Sequence, residues 1–379
     1  MQPSPHIVFA GGGTAGHLFP GLAVADQLVR DLGRVRITFA GTGKPFERKH
    51  VAADGFEYVA MPCRPFPSRA RDAFRFVRDN VAGYYSSSWF LREQQATLVV
   101  GLGGYASTPM VKAAFRRDLP AVLLEQNAVP SLATRWLSTK AALICAAFEE
   151  VREALRAGVR LRITGNPLHP TFLSLLESES AAHAALKTKR PKRILVLGGS
   201  SGARTLNQAV PPALYRMGER LENCEIVHQT GERDEQATRT LYGKLGLKAT
   251  VTAFISNMPR ILLDTDLAIS RAGGTTLAEL AAARVPAILL PYPRAADDHQ
   301  KSNAEVFQAA GACRILDQRE VSGRLDHALA GVISDLLAGE LVRQQMSQAM
   351  ERLARLDATQ TVARCIAELA LAPETAKVA

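Results

Sequence analysis

The sequence predicts an α/β protein of two parallel-sheet domains, and three observations carry that expectation. Short apolar runs alternate with longer amphipathic stretches, the sign of strands separated by helices. The alternation lapses once, near the middle of the chain, and then restarts. Each half opens on the same order of strand, glycine loop and helix. A length of 379 residues suits two domains of ordinary size, and 47% hydrophobic with 22% charged residues excludes a disordered or fibrous chain.

In the first half the runs His6 to Ala10, Arg36 to Ala40, Tyr58 to Met61, Thr97 to Gly101 and Ala121 to Leu124 read as strands. From Asn166 to Lys192, prolines, the run Glu177-Ser-Glu-Ser180 and the basic stretch Lys187 to Lys192 read as a surface linker. The second half resumes with Arg193 to Leu197, Glu225 to Val227, Thr250 to Thr252, Leu267 to Ile269 and Ala287 to Leu290. The expected organisation is residues 1–165 as an N-terminal domain, 166–192 as linker, 193–360 as a C-terminal domain, and 361–379 as a closing helix and tail.

The formal net charge is +10, which predicts an anionic partner: nucleic acid, anionic lipid or a phosphorylated substrate. The excess sits early, with 21 Lys and Arg against 13 Asp and Glu in residues 1–165. No recognised nucleic-acid reader motif accompanies it, so no nucleic-acid partner is expected. Cys63, Cys145, Cys224, Cys313 and Cys365 lie far apart and form no Cys-x-x-Cys pair, which fits a reducing compartment and argues against a zinc or redox site. No Lys or Arg precedes Arg30, and no apolar run nears the roughly 18 residues of a membrane span. Neither export nor a transmembrane segment is expected.

The glycine loops Gly11-Gly-Gly-Thr-Ala-Gly-His17 and Gly198-Gly-Ser-Ser-Gly202 follow the first strand of each half. Such a turn aims backbone N–H groups and a helix N-terminus at one point, which suits a phosphate. Ligands of open α/β sheets bind at the carboxyl ends of the strands, so two such domains facing each other would form a cleft with a phosphate site on each wall. Gly11, Gly13 and Gly16 also fit the dinucleotide fingerprint, but the second strand runs into Ala40-Gly-Thr-Gly43 without the acid that reads a cofactor ribose. Neither loop continues into the Gly-Lys-Ser/Thr of a Walker loop.

Other stretches carry polar or glycine-rich chemistry at strand ends. Gly101-Leu-Gly-Gly-Tyr105 either permits close backbone approach to a ligand or is a packing turn. In Glu125-Gln-Asn127 the carboxylate is either a base or sugar anchor, or a cap for the following helix. Ser270-Arg-Ala-Gly-Gly-Thr-Thr-Leu-Ala-Glu279 reads as an anion-binding helix N-terminus with Arg271 beside it. Glu279 would repel phosphate and suits a sugar diol one turn further in, and phosphate plus diol means a nucleotide. Asp297-Asp-His-Gln-Lys-Ser-Asn303 begins a helix, either at the same cleft edge or merely in solvent. The eight histidines show no metal-ligand spacing; His17 stands out because it begins the helix after the first glycine loop.

Together, Gly12-Gly-Thr-Ala-Gly-His-Leu-Phe-Pro-Gly-Leu-Ala23, Gly101-Leu-Gly-Gly-Tyr105, Glu125-Gln-Asn127, Thr164-Gly-Asn-Pro167, Gly198-Gly-Ser-Ser-Gly-Ala-Arg204, His228-Gln-Thr-Gly231, Phe254-Ile255, Arg271-Ala-Gly-Gly274 and His299-Gln300 resemble the MurG family. These are the undecaprenyl-diphospho-muramoylpentapeptide N-acetylglucosaminyltransferases. The resemblance implies a GT-B glycosyltransferase fold, two Rossmann-like domains facing across a cleft. It implies inverting transfer of GlcNAc from UDP-GlcNAc to the C4 hydroxyl of the muramoyl sugar of lipid I, giving lipid II and UDP in peptidoglycan synthesis. It implies no cofactor and no metal, leaving helix N-termini and polar side chains to stabilise the departing diphosphate. It also implies a peripheral position at the cytoplasmic face of the inner membrane.

By the same resemblance, Thr14, Ala15 and Gly16 would face the transferred sugar and the acceptor diphosphate, with Gly104, Tyr105 and Asn127 also meeting substrate. His169 stands where the family commonly has an arginine. Ser200 would bind phosphate, the Ile255 backbone would read uracil, and Arg271 with Gly274, Thr275, Thr276, Leu277 and Ala278 would hold the diphosphate. Glu279 would take the ribose hydroxyls and Gln300 the GlcNAc. His17 and Glu125 are the candidates for acid–base work on the acceptor hydroxyl, with the base left open between them. The family's Thr-Gly-Gly-His loop is Thr14-Ala-Gly-His17 here, which demands either φ below zero at Ala15 or a strained turn.

Two rivals share part of this pattern. A non-catalytic nucleotide-sugar binder would leave Glu125, Asn127 and His17 without a role. A GT-B enzyme acting on another membrane lipid, such as diacylglycerol, would share the donor half but not the N-terminal acceptor motifs. Between Arg64 and Arg92, six arginines and two aspartates interleave with seven aromatics. That suits docking on an anionic membrane surface, or a helix packing its aromatics inward.

Overall fold

The computed structural model describes residues 4–67, 69–186, 190–199, 202–321 and 323–371. The chain forms two units: unit 1 is Met1–Pro170 with Arg355–Ala379, and unit 2 is Thr171–Ala354. The stretch expected as a linker carries the helix Pro170–Leu186. Phe172, Leu173 and Leu176 are buried on it, an apolar stripe at helical spacing that outweighs the Glu-Ser run.

Unit 1 is built on seven strands: β1 His6–Ala10, β2 Arg36–Gly41, β3 Glu57–Ala60, β4 Leu98–Gly101, β5 Ala121–Glu125, β6 Leu143–Ala146 and β7 Leu161–Ile163. They pair in parallel in the order β3-β2-β1-β4-β5-β6-β7. Strands β6 and β7 were not expected: β6 lies in an alanine-rich run, and the exposed Arg162 interrupts β7. Ile7 and Phe9 pack with Leu18 and Leu22 of the helix Ala15–Leu32 and with Val362 and Ile366 of the helix Ala358–Leu371. Val8 faces the other way, onto Met110 and Val111 of the helix Thr108–Arg116. A strand buried on both faces reads as an unbroken apolar run, which is why these strands were legible.

The closing helix belongs to unit 1 because its apolar stripe docks there. Leu168 N–H donates to Thr359 Oγ1 at 3.0 Å and the Thr359 hydroxyl donates to Leu168 O at 2.6 Å. Gly165 has φ 81, and a Cβ on it would collide with Arg355 Cβ. The Thr164-Gly-Asn-Pro167 motif therefore makes room for the returning chain.

Unit 2 holds six parallel strands: β8 Lys192–Leu197, β9 Cys224–Gln229, β10 Thr250–Thr252, β11 Leu267–Ser270, β12 Ala287–Leu289 and the unforeseen three-residue β13 Cys313–Ile315. Their order is β10-β9-β8-β11-β12-β13. Ile194 and Val196 pack against Leu206 and Val210 of the helix Arg204–Tyr215 and against Leu329 and Ile333 of the helix Leu325–Ala338. In each unit the strand order reverses beside the first strand, between β1 and β4 and between β8 and β11. A ligand crevice opens at such a switch point, and the glycine loops fall there.

Candidate functional site

In unit 1 the loop after β1 runs through Gly11, Gly12 and Gly13 at φ 142, 136 and 83. Side chains are shut out: a Cβ on Gly11 would lie 2.7 Å from Leu102 Cβ, and one on Gly12 2.8 Å from Glu47 Oε1. The open N–H cradle expected here is not what forms, because the loop is tied to its own unit. Gly11 N–H donates to Ala40 O at 2.9 Å and Gly13 N–H to Glu47 Oε1 at 2.5 Å. What remains for an anion is the head of the helix Ala15–Leu32 after its N-cap, Thr14. Ala15 lies inside that helix and is not among the residues of positive φ, so the alanine is accommodated without strain.

Glu47 was not singled out in the sequence, although a lone acid opening a helix just after Gly41-Thr-Gly43 was its signal. It is fully buried in the helix Pro45–Ala53. Oε1 also accepts from the Thr42 hydroxyl at 2.7 Å, and Oε2 accepts from Gly43 N–H at 3.1 Å and the Tyr58 hydroxyl at 2.5 Å. Four donors thus fasten one carboxylate behind the glycine loop.

The His17 imidazole lies along Gly103 and Gly104. A Cβ on Gly103 would sit 3.3 Å from its Cδ2 and 3.5 Å from its Nε2, and one on Gly104 3.4 Å from Cε1 and 3.6 Å from Nδ1. With φ 93 and 68 as well, this shelf is open only to glycine. Thr14 Oγ1 and His17 Nδ1 are hydrogen-bonded at 3.2 Å. Tyr105 follows the shelf in the short turn Tyr105–Ser107, partly exposed.

Glu125 is placed differently. It is 3% exposed, and each oxygen already accepts twice. Oε1 takes the N–H and Nδ2 of Asn127, both at 3.2 Å; Oε2 takes Ser131 N–H at 3.0 Å and the Thr134 hydroxyl at 2.7 Å. A saturated carboxylate has no lone pair left for a substrate proton, so the geometry favours the capping reading over acid–base work. His169 lies near enough to Asp54 to lower its carboxyl against the larger upward push of burial.

In unit 2 the glycine loop after β8 packs on β9: a Cβ on Gly198 would lie 2.8 Å from Gln229 O, and one on Gly202 2.7 Å from Thr230 O. Ser200 lies outside the described residues. His228 is buried and burial pushes it down to about 3, so it is neutral. Its Nδ1 pairs with the Tyr242 hydroxyl and its Nε2 with Asn207 Oδ1, both at 3.0 Å, while Asn207 Nδ2 donates to Thr230 O at 3.1 Å. The His228-Gln-Thr-Gly231 motif is a core network supporting the loop. Ile255 is buried beside the exposed Phe254 in the loop after β10.

The helix Gly274–Ala282 begins after Gly273 with no side-chain cap and no acid in its first turn. Gly274, Thr275 and Thr276 therefore form the positive end of a helix dipole, which favours an anion. Leu277 is fully buried and its N–H donates to Gly273 O at 3.0 Å, so it anchors the helix in the core. Ala278 and Glu279 are partly exposed. Burial pushes the Glu279 carboxyl up to about 7. Burial likewise lowers Arg271 to about 10, still a cation at neutral pH; its Nη1 donates to Leu290 O at 2.9 Å and Pro291 O at 3.1 Å. Gln300 stands in the first turn of the helix His299–Ala309, where its Oε1 accepts from Tyr292 N–H at 3.0 Å. Among the described residues, no three His, Cys, Asp or Glu side chains gather to hold a metal ion.

Residues 7–145 match the glycosyltransferase family 28 N-terminal domain and residues 193–362 the glycosyltransferase family 28 C-terminal domain. A UDP-N-acetylglucosamine--N-acetylmuramyl-(pentapeptide) pyrophosphoryl-undecaprenol N-acetylglucosamine transferase of Geobacter metallireducens is 35% identical over 361 residues, 94% of this chain and 96% of that protein. Its counterpart in Geobacter sulfurreducens is 36% identical over the same shares. The crystal structure of Acinetobacter baumannii MurG is similar with a TM-score of 0.74 at 29% identity, covering 96% of this chain and 99% of that one.

Proposed function

Because the chain belongs to the MurG family of glycosyltransferase family 28, we propose that it transfers GlcNAc from UDP-GlcNAc to undecaprenyl-pyrophosphoryl muramoyl-pentapeptide, releasing lipid II and UDP. The observation that carries the donor half is the uncapped helix N-terminus at Gly274 with Glu279 one turn further in. The diphosphate meets the N–H groups of Gly274 to Thr276 and the charge of Arg271. The ribose hydroxyls donate to Glu279 in its ionised form, the Ile255 backbone reads the uracil, and Gln300 meets the GlcNAc.

In the acceptor half His17 is the base. Thr14 orients the ring through Nδ1, and in this reading Nε2 takes the proton from the C4 hydroxyl of the muramoyl sugar. The new bond forms between that oxygen and the anomeric carbon, on the face opposite the bond to UDP. The breaking bond leaves its electron pair on the diphosphate, and the product is the β anomer. The helix head at Thr14, Ala15 and Gly16 offers N–H groups to the acceptor diphosphate, with Gly104, Tyr105, Asn127 and His169 around it. Glu125 and Glu47 hold the loops that present these groups.

The lipid acceptor makes the cytoplasmic face of the inner membrane the place of work, reached peripherally. No helix among the described residues is long and apolar enough to cross a membrane. The helix Ala73–Glu93 leaves Phe74, Val77, Val81, Tyr85 and Trp89 exposed at spacings of three and four, with Arg71, Arg75 and Arg78 exposed beside them. Tyr84 and Phe90 turn inward to the core, so only part of the aromatic run is available for docking. Basic side chains beside exposed aromatics support attachment to an anionic leaflet.

The test is transfer of GlcNAc to a lipid I analogue in the presence of EDTA, with UDP released in equal amount. No transfer to that acceptor, alongside turnover with diacylglycerol, would move the reading to the other lipid enzyme.

A further inference from the structure

The segment that follows β13 in unit 2 touches both loops that flank the donor region. Arg319 Nη1 donates to Asp298 Oδ1 and Oδ2 at 3.1 and 3.0 Å, and its Nη2 donates to Asp317 Oδ2 at 2.8 Å. Next to it, Gln318 Oε1 accepts from Arg271 Nη1 at 3.4 Å. The Arg271 guanidinium lies 5.5 Å from the centre of the Tyr292 ring, and Tyr292 N–H is the donor to Gln300 Oε1. The buried Asn303 closes the circuit, its Nδ2 donating to Ala272 O at 3.0 Å. Asp317 to Arg319 thus bracket the Arg271 loop on one side and the turn before Gln300 on the other.

That turn needs a bracket. Asp297 and Asp298 have φ 51 and 50, two successive non-glycine residues in the left-handed region, which side chains adopt only when their surroundings hold them there. The Asp317 side chain is 4% exposed and that of Asp298 50%, so the Asp317 end is the fixed anchor and Arg319 the arm that reaches the turn. Tyr292 N–H fixes which way the Gln300 amide faces, with Oε1 toward Tyr292 and the NH2, which can only donate, turned away from it.

We infer that Arg319, anchored on Asp317, is a positioning residue that holds the Asp297–Asp298 turn so that the Gln300 amide donates to an acceptor oxygen of the donor sugar. The inference rests on the reading of Gln300 as the residue that meets the GlcNAc, and it assigns part of sugar selectivity to a side chain that touches no substrate.

Arg319→Gln and Arg319→Lys in the full chain test it by two measurements. In the ligand-free protein, hydrogen exchange over residues 291–303 is expected to quicken about tenfold in Arg319→Gln and less in Arg319→Lys, while β8 and β11 stay protected. By calorimetry, UDP affinity is expected to stay within about twofold of wild type while UDP-GlcNAc affinity falls about tenfold, with a matching loss of preference over UDP-glucose. Unchanged exchange over 291–303 overturns the bracket. Quickened exchange with wild-type UDP-GlcNAc affinity overturns the sugar contact of Gln300 and leaves the bracket as a structural feature alone. Equal losses for UDP and UDP-GlcNAc overturn the positioning role, because the change would then reach beyond the sugar.

Discussion

Replacing Glu47 with glutamine removes one charge and one acceptor from behind the first glycine loop. The carboxylate takes four hydrogen bonds, from Gly13 N–H, Thr42, Gly43 N–H and Tyr58. An amide offers one oxygen and one NH2: one flip sets the NH2 against Gly13 N–H, and the other sets it against Gly43 and Tyr58, where Gly43 N–H keeps the Tyr58 oxygen at 2.7 Å but the Tyr58 hydroxyl loses its acceptor. The hydroxyls can rotate to accept, but a backbone N–H cannot. A buried donor left unpaired costs about 1–3 kcal/mol, and the surviving bonds lose their charge assistance. The easier desolvation of an amide offsets part of this, leaving a net loss of about 2–3 kcal/mol. For a unit of this size that lowers the melting temperature by about 4–12 °C. With the charged anchor gone, the loop leading to the helix that carries Thr14 and His17 loosens, so the KM for the lipid acceptor rises while UDP affinity, held in unit 2, stays put. Thermal and urea unfolding, calorimetry with UDP and steady-state kinetics with a lipid I analogue read the three effects. A variant within about 0.5 kcal/mol of wild type, with unaltered acceptor kinetics, would refute the reasoning.

Three further outcomes are expected. Because the Glu279 carboxyl titrates near 7 when raised by burial, UDP affinity should rise from pH 6 to pH 8 as the carboxylate forms, and Glu279→Gln should flatten that rise; a slope that survives removes the ribose assignment. His17→Ala should lower kcat by roughly 10²–10⁴-fold with UDP affinity intact, whereas Glu125→Gln should cost unit 1 stability through its four lost or weakened loop contacts; the reverse pattern would make Glu125 the base. The combined Arg71→Glu, Arg75→Glu and Arg78→Glu variant should bind anionic vesicles at least about a hundredfold more weakly while keeping its UDP affinity. Undiminished vesicle binding would show that the basic face does not dock the protein.

The two sheets were readable because parallel strands buried on both faces leave long apolar runs, as in Ile7 to Ala10 and Ile194 to Leu197. Strands β7 and β13 are hidden because an exposed arginine, Arg162 or Arg314, breaks each apolar run, β6 because its alanine-rich surroundings read equally as helix, and the helix Pro170–Leu186 by its polar run. Within the site, Gly103, Gly104 and Gly274 were visible in the sequence because glycine marks a backbone demand wherever it stands. Glu47 and Arg319 were not, since their meaning comes from partners 34 and 21 residues away.

Composition, periodicity and glycine placement determined the class of fold, the two-part plan and the loops at which a ligand is met, because these are local properties of a chain. Which polar group remains available within those loops was a matter for tertiary structure. His17 and Glu125 are equally plausible acids or bases as letters in a sequence. Folding lays His17 along a glycine shelf with Nδ1 hydrogen-bonded to Thr14, and surrounds Glu125 with four donors. The same holds for Gly13, whose N–H the sequence offers to a phosphate and the fold turns to Glu47. Hydrogen-bonding capacity is finite, and only the folded chain shows how much of it is already taken.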